Sequence, residues 1–336
     1  IKGNGHALAS SDYFSKFISN GVSTELCFAA FSLMTLIIVF AGVKNGIERV
    51  SKIMMPILVV LSCVITVYSV TRPGALEGVK YFLVPNFKNF SWMTVVTAMG
   101  QMFYSLSIAM GILITFGSYT EKEVSIENST ENVEVFDTAI AIMAGLMIIP
   151  AVFAFSNGNM ENLNAGPSLM FITIPKVFDS MGLGTLIGIL FFVLVLFAAL
   201  TSSIALTECA VSTFQDELGW SRHKSLIILG IIMLVLGSLS SLGYGPLASI
   251  QIIGMQFLDF FDFLTNSVMM PISATCVCLL VSKVIGVDKI AKEVKSHNNP
   301  FKREKIFNFM IKYICPIFAA IILLSSVANA FGIIKM

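Results

Sequence analysis

Apolar residues fall along this chain in blocks of about twenty, separated by short polar or Gly/Pro-bearing stretches. A helix rising 1.5 Å per residue needs about twenty residues to cross ~30 Å of hydrocarbon, so each block predicts a membrane-spanning helix. Charges, glycines and prolines punctuate eight such spans, at about 22–42, 53–71, 93–118, 133–156, 184–212, 225–242, 249–284 and 307–332. Several exceed twenty residues, which implies tilt, kinks or extension into the interface. None alternates with the two-residue period of a strand, which argues against a β-barrel. The predicted class is therefore an all-α, polytopic membrane protein.

Composition agrees with this pattern. Of 336 residues, 56% are hydrophobic and only 12% charged, where an ordinary soluble chain carries about a quarter charged residues. Mean hydropathy is +0.86. The net charge of +1 comes without a basic stripe outside short loops, so no nucleic-acid partner is expected. Basic residues do divide between alternating connections. Lys44, Arg49, Lys52, Lys122, Arg222, Lys224, Lys283, Lys289, Lys292, Lys295, Lys302, Arg303 and Lys305 fall in one set, but only Lys2, Lys16, Arg72, Lys80, Lys88 and Lys176 in the other. The positive-inside bias puts the richer set in the cytoplasm and the segment 1–21 outside, ahead of a transmembrane domain over 22–336. The chain starts Ile1-Lys2-Gly3, without an initiator or signal peptide, which reads as a fragment or a processed chain.

Cys27, Cys63, Cys209, Cys276, Cys278 and Cys315 lie inside apolar blocks and are expected to be buried, unpaired small hydrophobes. His6, His223 and His297 lie in polar segments, so no buried metal site or histidine relay is on offer. The spans hold no catalytic histidine, paired acidic motif or nucleophile–base set, and no enzyme is expected.

Three stretches could carry chemistry. In the third span, Gly100-Gln101-Met102-Phe103-Tyr104-Ser105-Leu106-Ser107-Ile108-Ala109-Met110-Gly111 concentrates hydroxyls and small residues at mid-membrane. Either the helix breaks there and turns its freed backbone groups on substrate and ions, or the small residues only let helices pack closely. In the fifth span, Thr201-Ser202-Ser203 either bond back to carbonyls one turn earlier or, with the Ala198 carbonyl, offer oxygens to a sodium ion. The outer run Ala165–Pro175 is too apolar for a solvated linker and too short to span. It is either a helical hairpin serving as a lid or a packed loop. Asp137, Glu208, Asp259 and Asp262 border or interrupt apolar blocks, Glu208 in the most buried-looking context. A carboxylate within a membrane is a functional hypothesis by default.

At this point the sequence resembles the neurotransmitter:sodium symporter family, particularly its bacterial amino-acid transporters with eleven spans. The matching stretches are Gly42-Val43-Lys44-Asn45-Gly46-Ile47-Glu48-Arg49, the Gly100–Gly111 run, Gly117-Ser118-Tyr119, the Gly166–Pro175 loop, Leu200-Thr201-Ser202-Ser203, Asp216-Glu217-Leu218 and Asp262-Phe263-Leu264. They occur in family order over nearly the whole chain. The resemblance implies an inverted-repeat, leucine-transporter-like fold lacking its first three helices, so that the chain holds roughly half of the binding site.

The family's site residues carry over by position. Ser105 matches a hydroxyl at the first sodium site, and Ala198 (carbonyl), Thr201 and Ser202 match ligands of the second. Phe103, Tyr104, Ser107 and Met110 match the substrate pocket, with Ser203 and Leu206 on its facing wall. Asp262 matches the extracellular gate; Asp216 and Tyr119 match the cytoplasmic gate. Where the family has a helix-seven asparagine this chain has Phe136, with Asp137 beside it. Asp137 is expected to supply the nearby negative charge that chloride supplies elsewhere in the family, so that chloride is not required. The implied activity is sodium-coupled symport of an amino acid, hydrophobic or aromatic given Met110 and Leu206, across the plasma membrane by alternating access. Two alternatives remain: a proton-coupled amino-acid permease with Glu208 as carrier, and a fragment without transport activity.

Overall fold

A computed structural model describes residues 10–156, 166–296 and 300–331. Expectations for residues 1–9, for the start of the outer run and for His297 lie outside these. The described residues are helical, with one isolated antiparallel bridge, Ile252 to Met255, and no strand. Among the described residues, seven helices are long and apolar enough to cross a membrane: Gly21–Phe40, Val43–Val70, Ile126–Ser156, Gly184–Leu218, Arg222–Leu242, Phe257–Ile285 and Glu304–Ala330. The remaining expected span, 93–118, is two helices, Trp92–Ser105 and Ile112–Ser118.

Several expected boundaries shift: the fourth span starts at Ile126, the fifth ends at Leu218, and two other starts move further. The chain enters its second span earlier than expected, through a π-helical turn Val43–Glu48 ahead of Arg49–Val70. The seventh starts later, at Phe257, because the chain turns at Gly254, between the expected start and the helix. Ile253 and Gly254 adopt left-handed φ values of 53° and 75° there, which no α-helix accommodates.

The chain divides into two compact units, one of residues 1–87 and 138–251, the other of 88–137 and 252–336. In the first, α1 (Ser11–Ser19), α2 (Gly21–Phe40), α3 (Arg49–Val70), α4 (Ala75–Leu83), α8 (Ile174–Asp179), α9 (Gly184–Leu218) and α10 (Arg222–Leu242) pack with the latter part of α7 (Ile126–Ser156). Their core holds Leu58, Ile65, Met147, Val152, Ile174, Val177 and Phe191. Lipid is as apolar as leucine, so close backbone approach and interhelical hydrogen bonds hold membrane helices together. Gly78 of α4 shows the first: a β-carbon there would lie 2.8 Å from the Pro150 α-carbon of α7. Ser69 Oγ shows the second, donating to the Met147 carbonyl at 2.7 Å. The outer run proves helical, with a π turn Leu169–Thr173 leading into α8, whose Ile174, Val177 and Phe178 are buried.

The strongest polar tie in this unit joins α9 to the start of α10. Arg222 donates to both Glu208 oxygens, Nη1 to Oε1 at 2.9 Å and Nη2 to Oε2 at 2.5 Å, while Nη2 also reaches the Val39 carbonyl at 2.8 Å. Glu208 is fully buried and the Arg222 side chain 23% exposed.

The second unit contains α5 (Trp92–Ser105), α6 (Ile112–Ser118), the start of α7, the interrupted helix α11–α12 (Phe257–Asp262 and Met270–Leu279), α13 (Val287–Val294), α14 (Glu304–Phe309) and α15 (Cys315–Ala330). Buried Met270, Ala274, Cys278, Ala319 and Ile322 form the seam between α12 and α15. Three carboxylates along one stripe of α7 fasten the approach to α14. Glu127, itself buried, accepts the backbone N–H groups of Lys302 and Arg303, both at 2.9 Å. Glu131 and Glu134 each take the Arg303 guanidinium at 3.1 Å.

The cysteines depart from expectation in part. All six are free, and Cys209 and Cys278 are buried, but Cys27, Cys63 and Cys276 lie on the outer surface and Cys315 is half-buried. In a chain of membrane helices an apolar outer surface faces lipid, so a small thiol meets no penalty there.

The Glu208–Arg222 pair predicts an asymmetry. Arg222→Met strands a fully buried carboxylate and should cost about 3 kcal/mol, whereas Glu208→Gln strands a partly solvated guanidinium and should cost less. Thermal unfolding in detergent measures both; equal losses, or a larger one for Glu208→Gln, would contradict the electrostatic account.

Candidate functional site

The break is the feature from which a site can be built. Helix α5 starts on a capping box in which Ser91 and Thr94 satisfy each other's backbone N–H, and it ends at Ser105. Between 106 and 111 the regular ladder lapses. Ser107 N donates to the Tyr104 carbonyl at 3.0 Å, three residues back, and Ile108 N to the Phe103 carbonyl at 3.1 Å, five back. Ser107, Ala109 and Gly111 take left-handed φ values of 54°, 63° and 80°. Glycine adopts such values freely, but a residue with a β-carbon is strained by about 1–2 kcal/mol and persists only where surroundings hold it. Of the two sequence readings of this run, the structure shows the broken helix.

Ser105, at the lip of the break, donates from Oγ to Asp137 Oδ1 at 2.7 Å. Asp137, half-buried on α7, is thus brought to the hydroxyl expected at the first sodium site, while its neighbour Phe136 is 65% exposed and turns away. Ser273 of α12 donates to the Ala109 carbonyl at 3.2 Å. Beside the break lies a cavity of about 360 Å³ whose walls include Phe103, Ser107, Ala274, Cys278 and Phe318. Of the other expected pocket residues, Tyr104 is exposed and Met110 half-buried.

The residues expected on α9 lie in the first unit. Thr201 Oγ1 donates to the Ala198 carbonyl at 2.9 Å and to the Phe197 carbonyl at 3.1 Å, and Ser202 Oγ donates to the Ala198 carbonyl at 3.1 Å. These are the back-bonds that the sequence left as one possibility. They also gather two hydroxyl oxygens around one carbonyl oxygen, the donor set a hard cation prefers. Ser203 shares a hydrogen bond of 3.1 Å with Thr35 of α2, and Leu206 is exposed.

The residues expected at the gates are exposed at their helices. Asp262 accepts from Asn266 Nδ2 at 2.6 Å, Asp216 accepts from Ser212 Oγ at 3.4 Å, and the Tyr119 ring sits edge-on to Phe116. Glu208, the alternative proton carrier, has both oxygens engaged by Arg222. Arg222 and Ser273 escaped the sequence reading. Arg222 registered only as a cytoplasmic charge, and Ser273 is one hydroxyl among many in apolar helix.

Comparison with known proteins agrees with this architecture. The profile of the sodium:neurotransmitter symporter family matches residues 13–333. An uncharacterized sodium-dependent transporter of Bacillus subtilis (strain 168), YhdH, is 33% identical over 323 residues, covering 96% of this chain and 70% of its own length. One from Haemophilus influenzae is 31% identical over 297 residues, covering 88% of this chain and 64% of its own length. The crystal structure of MhsT in complex with L-phenylalanine superposes with a TM-score of 0.81 at 35% identity, covering 96% of this chain and 74% of MhsT. The chain thus spans about two thirds to three quarters of the length of these relatives and shares the MhsT fold. It is a multi-pass membrane protein of a family of transporters rather than enzymes, and it belongs to the sodium:neurotransmitter symporter family.

Proposed function

We propose that this chain forms the greater part of a sodium-coupled symporter of a hydrophobic or aromatic amino acid, working across the plasma membrane by alternating access. The observation that carries this reading is the strained break at 106–111 with the Ser105–Asp137 hydrogen bond at its lip. Broken helices place backbone dipoles where a zwitterion's ammonium and carboxylate can meet them. The L-phenylalanine held by MhsT supports an aromatic side chain, as does the apolar, adaptable character of Phe103 and Met110. Ser107 and Tyr104 supply polar contacts on the break. Ser203 and Leu206 keep, on α9, the substrate-wall role that the resemblance implies. The positive-inside pattern supports an outer location for residues 10–20.

Sodium is co-transported cargo in this scheme. Ser105 Oγ is an oxygen ligand for one ion, and the Ala198 carbonyl with Thr201 and Ser202 hydroxyls are ligands for a second. Hydroxyl protons that now point at the Ala198 carbonyl would swing outward, leaving lone pairs for the ion. Coupling requires sodium to bind the outward-facing and inward-facing states unequally, with Asp262 closing the outer gate and Asp216 and Tyr119 the inner one.

In this scheme Asp137 supplies the counter-charge that makes chloride unnecessary. A carboxylate about 4 Å from a sodium ion contributes about 4 kcal/mol at an effective dielectric near 20. A neutral amide there forfeits most of that.

Uptake of radiolabelled L-phenylalanine by the full-length protein should require sodium and fall to background in choline at fixed pH. Uptake that persists in choline and follows a proton gradient would refute sodium coupling. Replacing chloride with gluconate should leave wild-type uptake unchanged. Asp137→Asn should raise the half-activating sodium concentration about tenfold or more, equivalent to at least about 1.4 kcal/mol. Strong chloride stimulation of the wild type, with no loss in Asp137→Asn, would refute the counter-charge role.

A further inference from the structure

We propose that Ser273 is a positioning residue that pins the broken helix in its working shape through the Ala109 carbonyl. The inference rests on reading 106–111 as the substrate-facing break, and it assigns part of the cost of holding that break to a single hydroxyl on another helix.

Hydroxyls on membrane helices normally bond back to a carbonyl three or four residues earlier, and three others of the same unit do so. Thr265 bonds to the Phe261 carbonyl at 2.7 Å, Thr275 to the Pro271 carbonyl at 2.9 Å and Ser118 to the Thr115 carbonyl at 2.7 Å. Ser273 sits two residues before Thr275 on α12, yet its Oγ reaches 164 positions back along the chain to the Ala109 carbonyl. That acceptor belongs to a residue at φ 63°, which turns its peptide out of the helical ladder. A carbonyl released from its ladder in a hydrocarbon setting costs several kcal/mol unless something donates to it. Ser273 is that donor. Its helix passes through the π turn Phe263–Met269 to Asp262, so the helix bearing the outer-gate acid also holds the break.

The bond is 3.2 Å long, beyond the roughly 2.5–3.0 Å usual for a hydroxyl donor to oxygen, so a modest effect is expected. In proteoliposomes containing the full-length protein under a sodium gradient, Ser273→Ala should raise the KM for L-phenylalanine about fivefold, equivalent to about 1 kcal/mol, and leave the maximal rate nearly unchanged. Ser273→Thr, which keeps the hydroxyl, should restore the wild-type KM. Amide hydrogen exchange over 106–111 should quicken in Ser273→Ala and return to wild-type rates in Ser273→Thr. An unchanged KM in Ser273→Ala, or a threonine variant no better than alanine, would overturn the proposal. If the wild type does not carry L-phenylalanine, the substrate reading fails and exchange alone decides: faster exchange confined to the alanine variant upholds the pin, and equal exchange in all three proteins overturns it.

Discussion

Backbone N–H and C=O groups have no water to turn to inside a bilayer, and every unusual feature of this chain is governed by that constraint. Most of the described chain meets it with unbroken α-helix or with π turns that keep a ladder running. The segment 106–111 does not. Its left-handed Ser107 and Ala109 give up the regular helical ladder, and the Ala109 carbonyl takes its hydrogen bond from Ser273 instead. The strain is of order 1–3 kcal/mol for each such residue. Leu183 and Ile253 carry similar strain where the chain turns between helices; at 106–111 it falls inside a run that hydropathy reads as one span.

The use of hydroxyls follows from the same constraint. Ser62, Thr207 and Thr213 simply cap their own helix carbonyls. A smaller set reaches across, and the two units use it differently. In the first unit, Thr66 and Ser69 donate to carbonyls of α7, and Ser238 and Ser241 to Glu25 of α2. These bonds fix helix against helix. In the second unit, the long-range donors Ser105 and Ser273 both attend the break. One set builds a scaffold, and the other maintains an irregularity.

This division explains what the sequence could and could not show. Hydropathy registers the presence of an apolar block, so each of the seven spans is legible, although the second starts at Val43, well before the expected residue 53. The start of the seventh was misjudged because residues 249–256 are apolar enough to read as span, yet Gly254 and its neighbours turn the chain before Phe257. The Gly100–Gly111 run was legible as special but not as broken, because small residues suit close packing and unwinding alike. What separates the two readings is a donor on a helix more than 160 residues away, which no local window contains. Glu208 was recognised as buried from its neighbours, while its partner was hidden because Arg222 opens the next helix and counts in sequence as one more cytoplasmic charge. The family resemblance supplied site positions that periodicity alone did not, Asp137 among them, and the structure turns Asp137 toward Ser105.

The two carboxylates, Glu208 and Asp137, have opposite electrostatic completeness. Glu208 is fully enclosed, and a bidentate guanidinium balances its charge. Such a pair is costly to break and has nothing to gain from a passing cation. Asp137 is half-buried, and the partner described for it is a neutral serine hydroxyl. A hydroxyl satisfies an oxygen lone pair but leaves the charge in place, and a charge within a membrane span seeks a counter-ion. A sodium ion beside Ser105 would complete at Asp137 what Arg222 completes permanently at Glu208. The difference is that sodium can leave. A membrane carboxylate with a resident cation serves structure; one whose cation must come from solution makes the conformation around it depend on sodium, as symport requires.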